Sequence, residues 1–342
     1  MINIEESIKS PDLSVSVIIP IRNEEKYIER CILSILSQDF PKDDMEIIFV
    51  DGRSEDNTVN IIKKYNTVYN KAFKISDNPN LTVPYAMNIG IRKSRGRYII
   101  RMDAHSEYAP DYISQCVKYL ELTGADNVGG VIETKSHGFI GKSIALMLSS
   151  FFGVGNSQFR INAKDGYVDT VPFGAFRREV FTKWGCYNER LKRNQDNEMN
   201  FRIIKNGGKV FLTNNIKLSY YCRDSVKGIL DMAYENGKWN IIAYYLCPGS
   251  MSPRHFVPFF FITSLIILPL ISQLPHMSWM LYVFYFELAL YFFLDLLFSL
   301  KAALKNGFPH FFILIFLFPL FHIFYGIGSL SGFFSLKKVL DN

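Results

Sequence analysis

Along the first two thirds of the chain, short apolar runs alternate with helical patterns. Val15 to Ile19 is a compact apolar run that ends at Pro20. Ile28, Cys31, Ile32 and Ile35 then fall at i, i+3, i+4 and i+7, one face of a helix beginning near Glu24. Ile47 to Val50 reads as a second buried strand, ending at Asp51, and a helix over about Asp56 to Tyr65 follows it. Tyr98 to Met102 is another strand, and it ends at Asp103. Strand, helix, strand with polar residues at the strand C-termini predicts an open, mainly parallel α/β sheet. Such sheets bind ligands at the carboxyl ends of their strands.

From Phe256 the pattern changes. No Asp, Glu, Lys or Arg lies between Arg254 and Glu287, nor between Lys305 and Lys337. A bilayer core of ~30 Å takes roughly 20 apolar helical residues, which predicts three spans, at about Phe256 to Leu274, Met277 to Leu300 and Phe308 to Leu330. The predicted organisation is an α/β domain at 1–240, an interfacial linker at 241–255 and a transmembrane region at 256–342. The first short loop, Gln273 to Ser278, has no Lys or Arg, whereas the second carries Lys301 and Lys305. That places the second loop, and the N-terminal domain, on the cytoplasmic side. Lys337 and Lys338 then fall outside if the third segment spans, and Pro319, Gly326 and Gly328 offer a way for it to re-enter instead. Glu287 and Asp295 lie within the second span, where ionisable groups are costly and often functional; alternatively, Asp295 sits near enough the end to reach water. Phe139 to Val154 is apolar but too short to span, so it is an interfacial helix or a core helix.

Composition narrows the class. With 49% apolar and 20% charged residues, the chain is neither disordered nor collagen-like. A net charge of +6 suits anionic phosphates or a membrane surface and is too weak to argue for nucleic acid. Five cysteines, far apart and without CxxC, make a disulfide framework or a zinc site a poor fit and suit a reducing compartment. The N-terminal MINIEESIKSPD has no apolar core of the kind a secretion signal needs.

The candidate chemistry sits where the strands end. Pro20-Ile21-Arg22-Asn23-Glu24-Glu25 follows the first, Asp51-Gly52-Arg53-Ser54-Glu55-Asp56-Asn57-Thr58 the second, and Asp103-Ala104-His105 a later one. Each alone has a plain reading: Asp-Gly is an ordinary turn, and Ser54 or Asp56 is a helix cap. On successive strands of one sheet, they line a single crevice. Asp103 and His105, at i and i+2, suit Mg²⁺ or Mn²⁺ with a nucleotide diphosphate supplying further oxygens. Neither GxxxxGK[ST] nor GxGxxG occurs, so a metal carries more of the phosphate binding. Asn194-Gln195-Asp196-Asn197-Glu198 opens a helix. Asp196 is either a first-turn acid of the ordinary kind or a general base in the crevice.

Taken in order, VSVIIPIRNEEKYIERCILSILSQ, IIFVDGRSEDNT, IIRMDAHSEYAPDYI, VPFGAFRREVF and NQDNEMNFRIIKNGG resemble the motifs of the family 2 glycosyltransferases, which have the GT-A fold, over roughly residues 14 to 240. The DAH form with GAFRREVF, NQDNE and three terminal spans looks most like the succinoglycan-type (ExoA-like) membrane enzymes of exopolysaccharide synthesis. The resemblance implies transfer of a sugar from a nucleotide donor, usually UDP-linked, with inversion. It implies that Pro20, Arg22, Glu24 and Asp51 hold the uridine, and that Asp103 and His105 stand at the first and third positions of the DxD metal motif. Asp196 matches the base of the ED motif, where Gln195 replaces Glu, and Glu198 is an acceptor contact. Gly52 stands where many members have a second Asp.

Tyr234-Glu-Asn-Gly-Lys-Trp239 matches the QxxRW of processive members poorly, which favours addition of a single sugar. By analogy, the acceptor is a polyprenyl-phosphate-linked glycan at the inner leaflet of the cell membrane, met by Arg177, Arg178, Arg223, Lys238 and Trp239. Other polysaccharide-assembly enzymes are expected partners. The alternatives are a processive synthase, a catalytically silent nucleotide-sugar-binding scaffold and a soluble nucleotidyltransferase.

Overall fold

The apolar run at Val15–Ile19 becomes the centre of a sheet. In the computed structural model, which describes residues 12–69, 73–161 and 164–340, it lies in β1 (Leu13–Ile21), followed by α1 (Ile28–Leu36). α1 buries Ile28, Cys31, Ile32 and Ile35, the face that their spacing predicts. It starts at Ile28 rather than near Glu24. Asn23 adopts a left-handed φ of 55°, and the Glu24 carbonyl accepts from the Tyr27 and Ile28 amides in a turn. β2 (Met45–Asp51), α2 (Thr58–Val68), β3 (Lys74–Asp77), α3 (Val83–Lys93) and β4 (Gly96–Arg101) come next. β1 pairs in parallel with β2 on one side and β4 on the other, and β2 pairs in parallel with β3. Val15, Val17, Ile18, Phe49, Ile99 and Ile100 are buried, as expected of strands covered on both faces.

The chain continues through β5 (Ser106–Tyr108), α4 (Tyr112–Thr123), β6 (Asn127–Lys135), α5 (Gly138–Leu148), α6 (Phe151–Val154), α7 (Gln158–Ile161), β7 (Gly166–Tyr167), β8 (Ala175–Arg177), α8 (Glu179–Trp184), α9 (Gln195–Lys205) and β9 (Val210–Tyr221). The sheet order is β3-β2-β1-β4-β8-β6-β9-β5, with β7 beside β9. β8 runs antiparallel to β4 and β6, and β5 and β7 antiparallel to β9. The sheet is therefore mixed, parallel in the half that holds the three expected strands.

Two compact units result. One takes in the described residues up to Glu133 and those from 164 to Tyr220; the other takes in Thr134–Ile161 and the residues from Tyr221 onward. The second unit holds α5 to α7, α10 (Val226–Leu246), a 3-10 turn at Pro253–Phe256, α11 (Val257–Ile271), α12 (Met280–Asn306) and α13 (Pro309–Leu340). α10 runs unbroken through the boundary expected at residue 240, and its last turn occupies the start of the expected 241–255 linker.

Three helices, Pro253–Ile271, Met280–Asn306 and Pro309–Leu336, are long and apolar enough to cross a membrane. The third segment is one helix, and Pro319 lies inside it without ending it. Gly326 and Gly328 mark close packing instead of a bend. A Cβ on Gly326 would meet the Pro258 carbonyl at 2.5 Å, and one on Gly328 the Tyr234 carbonyl at 2.0 Å. A Cβ on Gly237 of α10 would lie equally close to the Tyr325 carbonyl, at 1.9 Å. Small residues thus let α10 and α13 approach backbone to backbone. Tyr234 Oη donates to Ser331 Oγ at 2.7 Å across the same contact.

The apolar segment at Phe139 to Val154 forms α5 and α6 and packs on these helices. Ser143 Oγ meets His310 Nδ1 at 2.8 Å, and the Phe152 ring lies against Tyr291, Phe298, Phe318 and His322. Ser264 Oγ donates to Glu287 at 2.6 Å and Ser299 Oγ to Asp295 at 3.2 Å. Asp295 is 2% exposed, so it is buried within the helices and does not reach water. The Lys337 and Lys338 side chains, and the N-terminal residues that bear on a secretion signal, lie outside the described residues.

Gly328→Ala and Gly237→Ala should each lower stability by about 1–3 kcal/mol through overpacking. Gly166→Ala, where a Cβ meets nothing within 4 Å, should change it by less than ~0.5 kcal/mol. Unfolding of the detergent-solubilised protein measures all three, and equal midpoints would show that the α10–α13 approach is looser than these distances imply.

Candidate active site

The parallel strands bring their carboxyl ends level. β1 aligns Ile21 with Asp51 of β2, and Ile18 with Arg101 of β4. The loops after β1 and β2 are laced together by hydrogen bonds. The Asn23 amide donates to Ser54 Oγ at 3.0 Å, and Asn23 Oδ1 accepts from the Glu55 amide at 2.8 Å. The Glu24 amide donates to Thr58 Oγ1 at 2.7 Å, and the Asn57 amide donates to Glu25 at 3.0 Å. Asp51 accepts from the Ser54 amide and hydroxyl at 3.1 and 2.6 Å, closing the turn that leads to α2. Gly52 is confined: a Cβ there would lie 3.2 Å from the Leu81 carbonyl and 3.4 Å from Arg22.

The third loop is pinned from below. The Asp103 amide donates to Tyr108 Oη at 2.5 Å, and the Tyr108 hydroxyl reaches the Asp103 carbonyl at 3.2 Å. Cys31, buried beneath, has its thiol pKa pushed up by burial and is chemically inert. His105 Nδ1 lies 3.1 Å from Glu24 Oε1, which fixes its ring, and its face meets Tyr220 at 5.1 Å. Glu24 therefore stands beside His105, while Asp51 closes its own turn.

Asp196 reaches the same place from α9. Its Oδ1 accepts from Arg101 Nη1 at 2.6 Å, and Arg101 Nε and Nη2 donate to the two oxygens of Asp103 at 3.1 and 3.4 Å. One guanidinium thus stands between the two acids. Arg101 is buried at the end of β4, with its amide held by the Gly174 carbonyl at 3.1 Å and its charge 5.5 Å from the Phe173 ring. A Cβ on Gly174 would lie 2.2 Å from Asn127 Oδ1, so a side chain there would displace the buried Asn127 amide. Burial raises the Asp196 pKa above the ordinary carboxylate value; Arg101 opposes that rise and Asp103 adds to it.

Asn88 of α3 holds the Tyr187 segment in place, exchanging hydrogen bonds with the Tyr187 amide and carbonyl, each at 2.9 Å. The Tyr187 hydroxyl is buried beside Arg101. Of the six non-glycine residues with positive φ among the described residues, Asn23, Arg53, Phe173 and Asn194 flank this crevice. Strain of this kind gathers at functional sites.

Several expected residues do other work. Glu198 is buried and forms a two-pronged pair with Arg202 at 2.9 Å, and Arg202 in turn donates to the carbonyls of Trp184, Gly185 and Cys186. It anchors α9, with both carboxylate oxygens taken up by Arg202. Arg177 and Arg178 are also corrected. β8 runs antiparallel to β4 and sets Arg177 opposite Tyr98, roughly 10 Å back along the strand from Arg101. There, Arg177 donates to the Ala125 and Leu120 carbonyls, and the buried Arg178 donates to the Gly96 carbonyl and Ser94 Oγ. Both hold the sheet together, away from Arg101. Arg223, Lys238 and Trp239 belong to the second unit, and Trp239 is buried by helix packing. Pro20 pairs with Val50 within the sheet, and Arg22 is exposed at the rim.

Sequence reasoning missed Arg101, although a signal existed: it is the one charge in the apolar run Tyr98-Ile99-Ile100-Arg101-Met102. Tyr187 and Asn88 carried none.

Among the described residues, no three His, Cys, Asp or Glu side chains come together as a metal cage. Asp103 and His105 offer one carboxylate and one imidazole whose Nδ1 is fixed by Glu24. That donor set fits a divalent ion that keeps its other positions for phosphate oxygens or water.

Residues 16–185 match the model of the glycosyl transferase family 2 domain. The chain is 30% identical over 231 residues to a dolichyl N-acetyl-alpha-D-glucosaminyl phosphate 3-beta-D-2,3-diacetamido-2,3-dideoxy-beta-D-glucuronosyltransferase of Methanococcus voltae, covering 65% of this chain and 71% of that protein. It is 27% identical over 270 residues to the succinoglycan biosynthesis protein ExoA of Rhizobium meliloti, covering 77% and 81%. In fold it is similar to the mannosyltransferase PcManGT of Pyrobaculum calidifontis, solved with GDP-Man and Mn²⁺. There the TM-score is 0.57 at 18% identity, over 96% of this chain and 92% of that one. With motifs, mixed sheet and relatives in accord, the chain belongs to glycosyl transferase family 2.

Proposed function

We propose that this membrane glycosyltransferase moves one sugar, with inversion, from a UDP-sugar to a lipid-linked glycan, Asp196 being the general base. The observation that carries the reading is the meeting of Asp103 and Asp196 on one buried guanidinium at the carboxyl ends of the parallel strands. Relatives named for a dolichyl phosphate acceptor and for succinoglycan synthesis support the lipid-linked acceptor and the role in surface or exopolysaccharide assembly. In this reading, the first unit faces the cytoplasm, the three apolar helices cross the cell membrane, and other assembly enzymes supply and extend the acceptor.

An acceptor hydroxyl has a pKa far above neutrality, so its attack on the anomeric carbon requires a carboxylate to take the proton as the bond forms. In this reading Asp196 takes it; the support is its position beside Asp103 on Arg101 and a pKa that burial raises. The linkage to the nucleoside diphosphate breaks on the opposite face, which inverts the centre. Asp51, with Pro20 and Arg22 at the rim, would hold the uridine, and Glu24 keeps the His105 ring in place. Asp103 and His105 would hold Mg²⁺ or Mn²⁺, which when bound offsets the charge gained by the leaving diphosphate. The exposed Arg223 and the half-buried Lys238 remain candidates for the acceptor phosphate.

Purified protein given a UDP-sugar panel, Mn²⁺ or Mg²⁺ and a membrane lipid extract should release UDP with one sugar. Asp196→Asn should lower kcat by ~10²- to 10⁴-fold while UDP binding stays within ~3-fold. Turnover unchanged in Asp196→Asn would overturn the assignment of the base. UDP binding without turnover by the wild type, even with a defined lipid-linked glycan, would instead favour the silent scaffold.

The pH profile gives a second check. The base works deprotonated, so turnover falls as pH drops through its pKa. Because burial raises that pKa, the acidic limb should lie above the ordinary aspartate position. A limb at the ordinary position, or one that persists in the residual activity of Asp196→Asn, would count against Asp196.

A further inference from the structure

We propose that Arg101 is a positioning residue for the transfer. Its guanidinium sets the acid of the donor side, Asp103, against the acid of the acceptor side, Asp196. The inference rests on the function proposed above, in which those two acids do the chemistry. Asp196 lies 95 residues from Arg101 in the chain, and its side chain is 28% exposed, so its place depends on what holds it. What holds it is Arg101 Nη1, at 2.6 Å. The other arm of the fork is committed to Asp103 through Nε and Nη2. The Arg101 side chain is itself 4% exposed, with its backbone fixed to Gly174 and its face near Phe173. It therefore cannot drift, and it transmits the position of β4 to the first turn of α9.

A lysine is a point charge and lacks the planar fork, so it cannot serve both acids from one place. The same geometry has a consequence on the donor side. Both oxygens of Asp103 face a fixed cation, so a divalent ion at Asp103 competes with Arg101. Removing Arg101 should therefore loosen Asp196 and at the same time free Asp103 for metal.

The test uses the full chain in detergent, as wild type, R101M, R101K, D196N and the double variant R101M/D196N. Turnover is followed by UDP release, and Mn²⁺ binding without nucleotide by electron paramagnetic resonance. R101M should lose ~10²-fold in kcat, and R101K should recover little of it. In the D196N background, R101M should cost less than ~3-fold more, because its effect passes through Asp196. Mn²⁺ should bind R101M at least ~10-fold more tightly than the wild type.

Near-normal turnover in R101M or R101K would overturn the proposal, and so would a loss from R101M that is equally large with and without Asp196. Unchanged Mn²⁺ affinity would remove the Asp103 arm. If R101M no longer binds UDP, R101K, which keeps a cation in the cavity, decides the matter. An active D196N would bring down the underlying function, whereas an inactive D196N beside an active R101M would bring down Arg101 alone.

Discussion

A guanidinium keeps its proton inside a protein, so a fold that buries one must bring acids to it. Arg101 is 3% exposed, and its acids come from opposite directions along the chain. Asp103 is on its own loop, and Asp196 is on α9, 95 residues from Arg101 along the chain. Arg101 bonds to both acids at once, so the three side chains hold one another in place. The surroundings reinforce them. Tyr108 holds the Asp103 backbone, Arg202 and Glu198 hold α9 from behind, and Asn88 holds the Tyr187 segment beside them. The walls formed by the Asp103 loop, α9 and the Tyr187 segment are tied to buried polar groups that have to be satisfied.

The second unit meets the same requirement in an apolar setting. A long apolar helix leaves no water to satisfy a carboxyl or an imidazole. Glu287 and Asp295 each accept from a serine, and Tyr291 pairs with His322 at 2.9 Å. Where side chains would keep the helices apart, glycines let α10 and α13 meet at their backbones. Glu287 and Asp295 are thereby part of the helix packing.

Much of this was legible from spacing. The face of α1, the strands around Val15–Ile19, Ile47–Val50 and Tyr98–Met102, and the three apolar helices each follow from a local period or a run length. Asp103, His105 and Asp196 were legible because they stand where strands end or a helix begins. The antiparallel half was less so: β5, β7 and β8 are too short to show a period, and their partners are distant in sequence. Arg177 and Arg178 misled because a pair of bases reads as an anion site until β8 is paired. Only the register with β4 shows them donating to backbone carbonyls at the far end of the sheet.

By itself, the sequence determined the class of fold, the change to apolar helices after residue 256, the family and the acids at the strand ends. These are properties of neighbouring residues, and local patterns carry them. Only the tertiary structure decided which acids share a site, that Arg101 joins two of them, that Glu24 turns to His105, and that Glu198 and Trp239 serve packing. Each of those depends on burial and on contacts between residues far apart in the chain. The need to satisfy a buried charge arises only once the chain has closed around it.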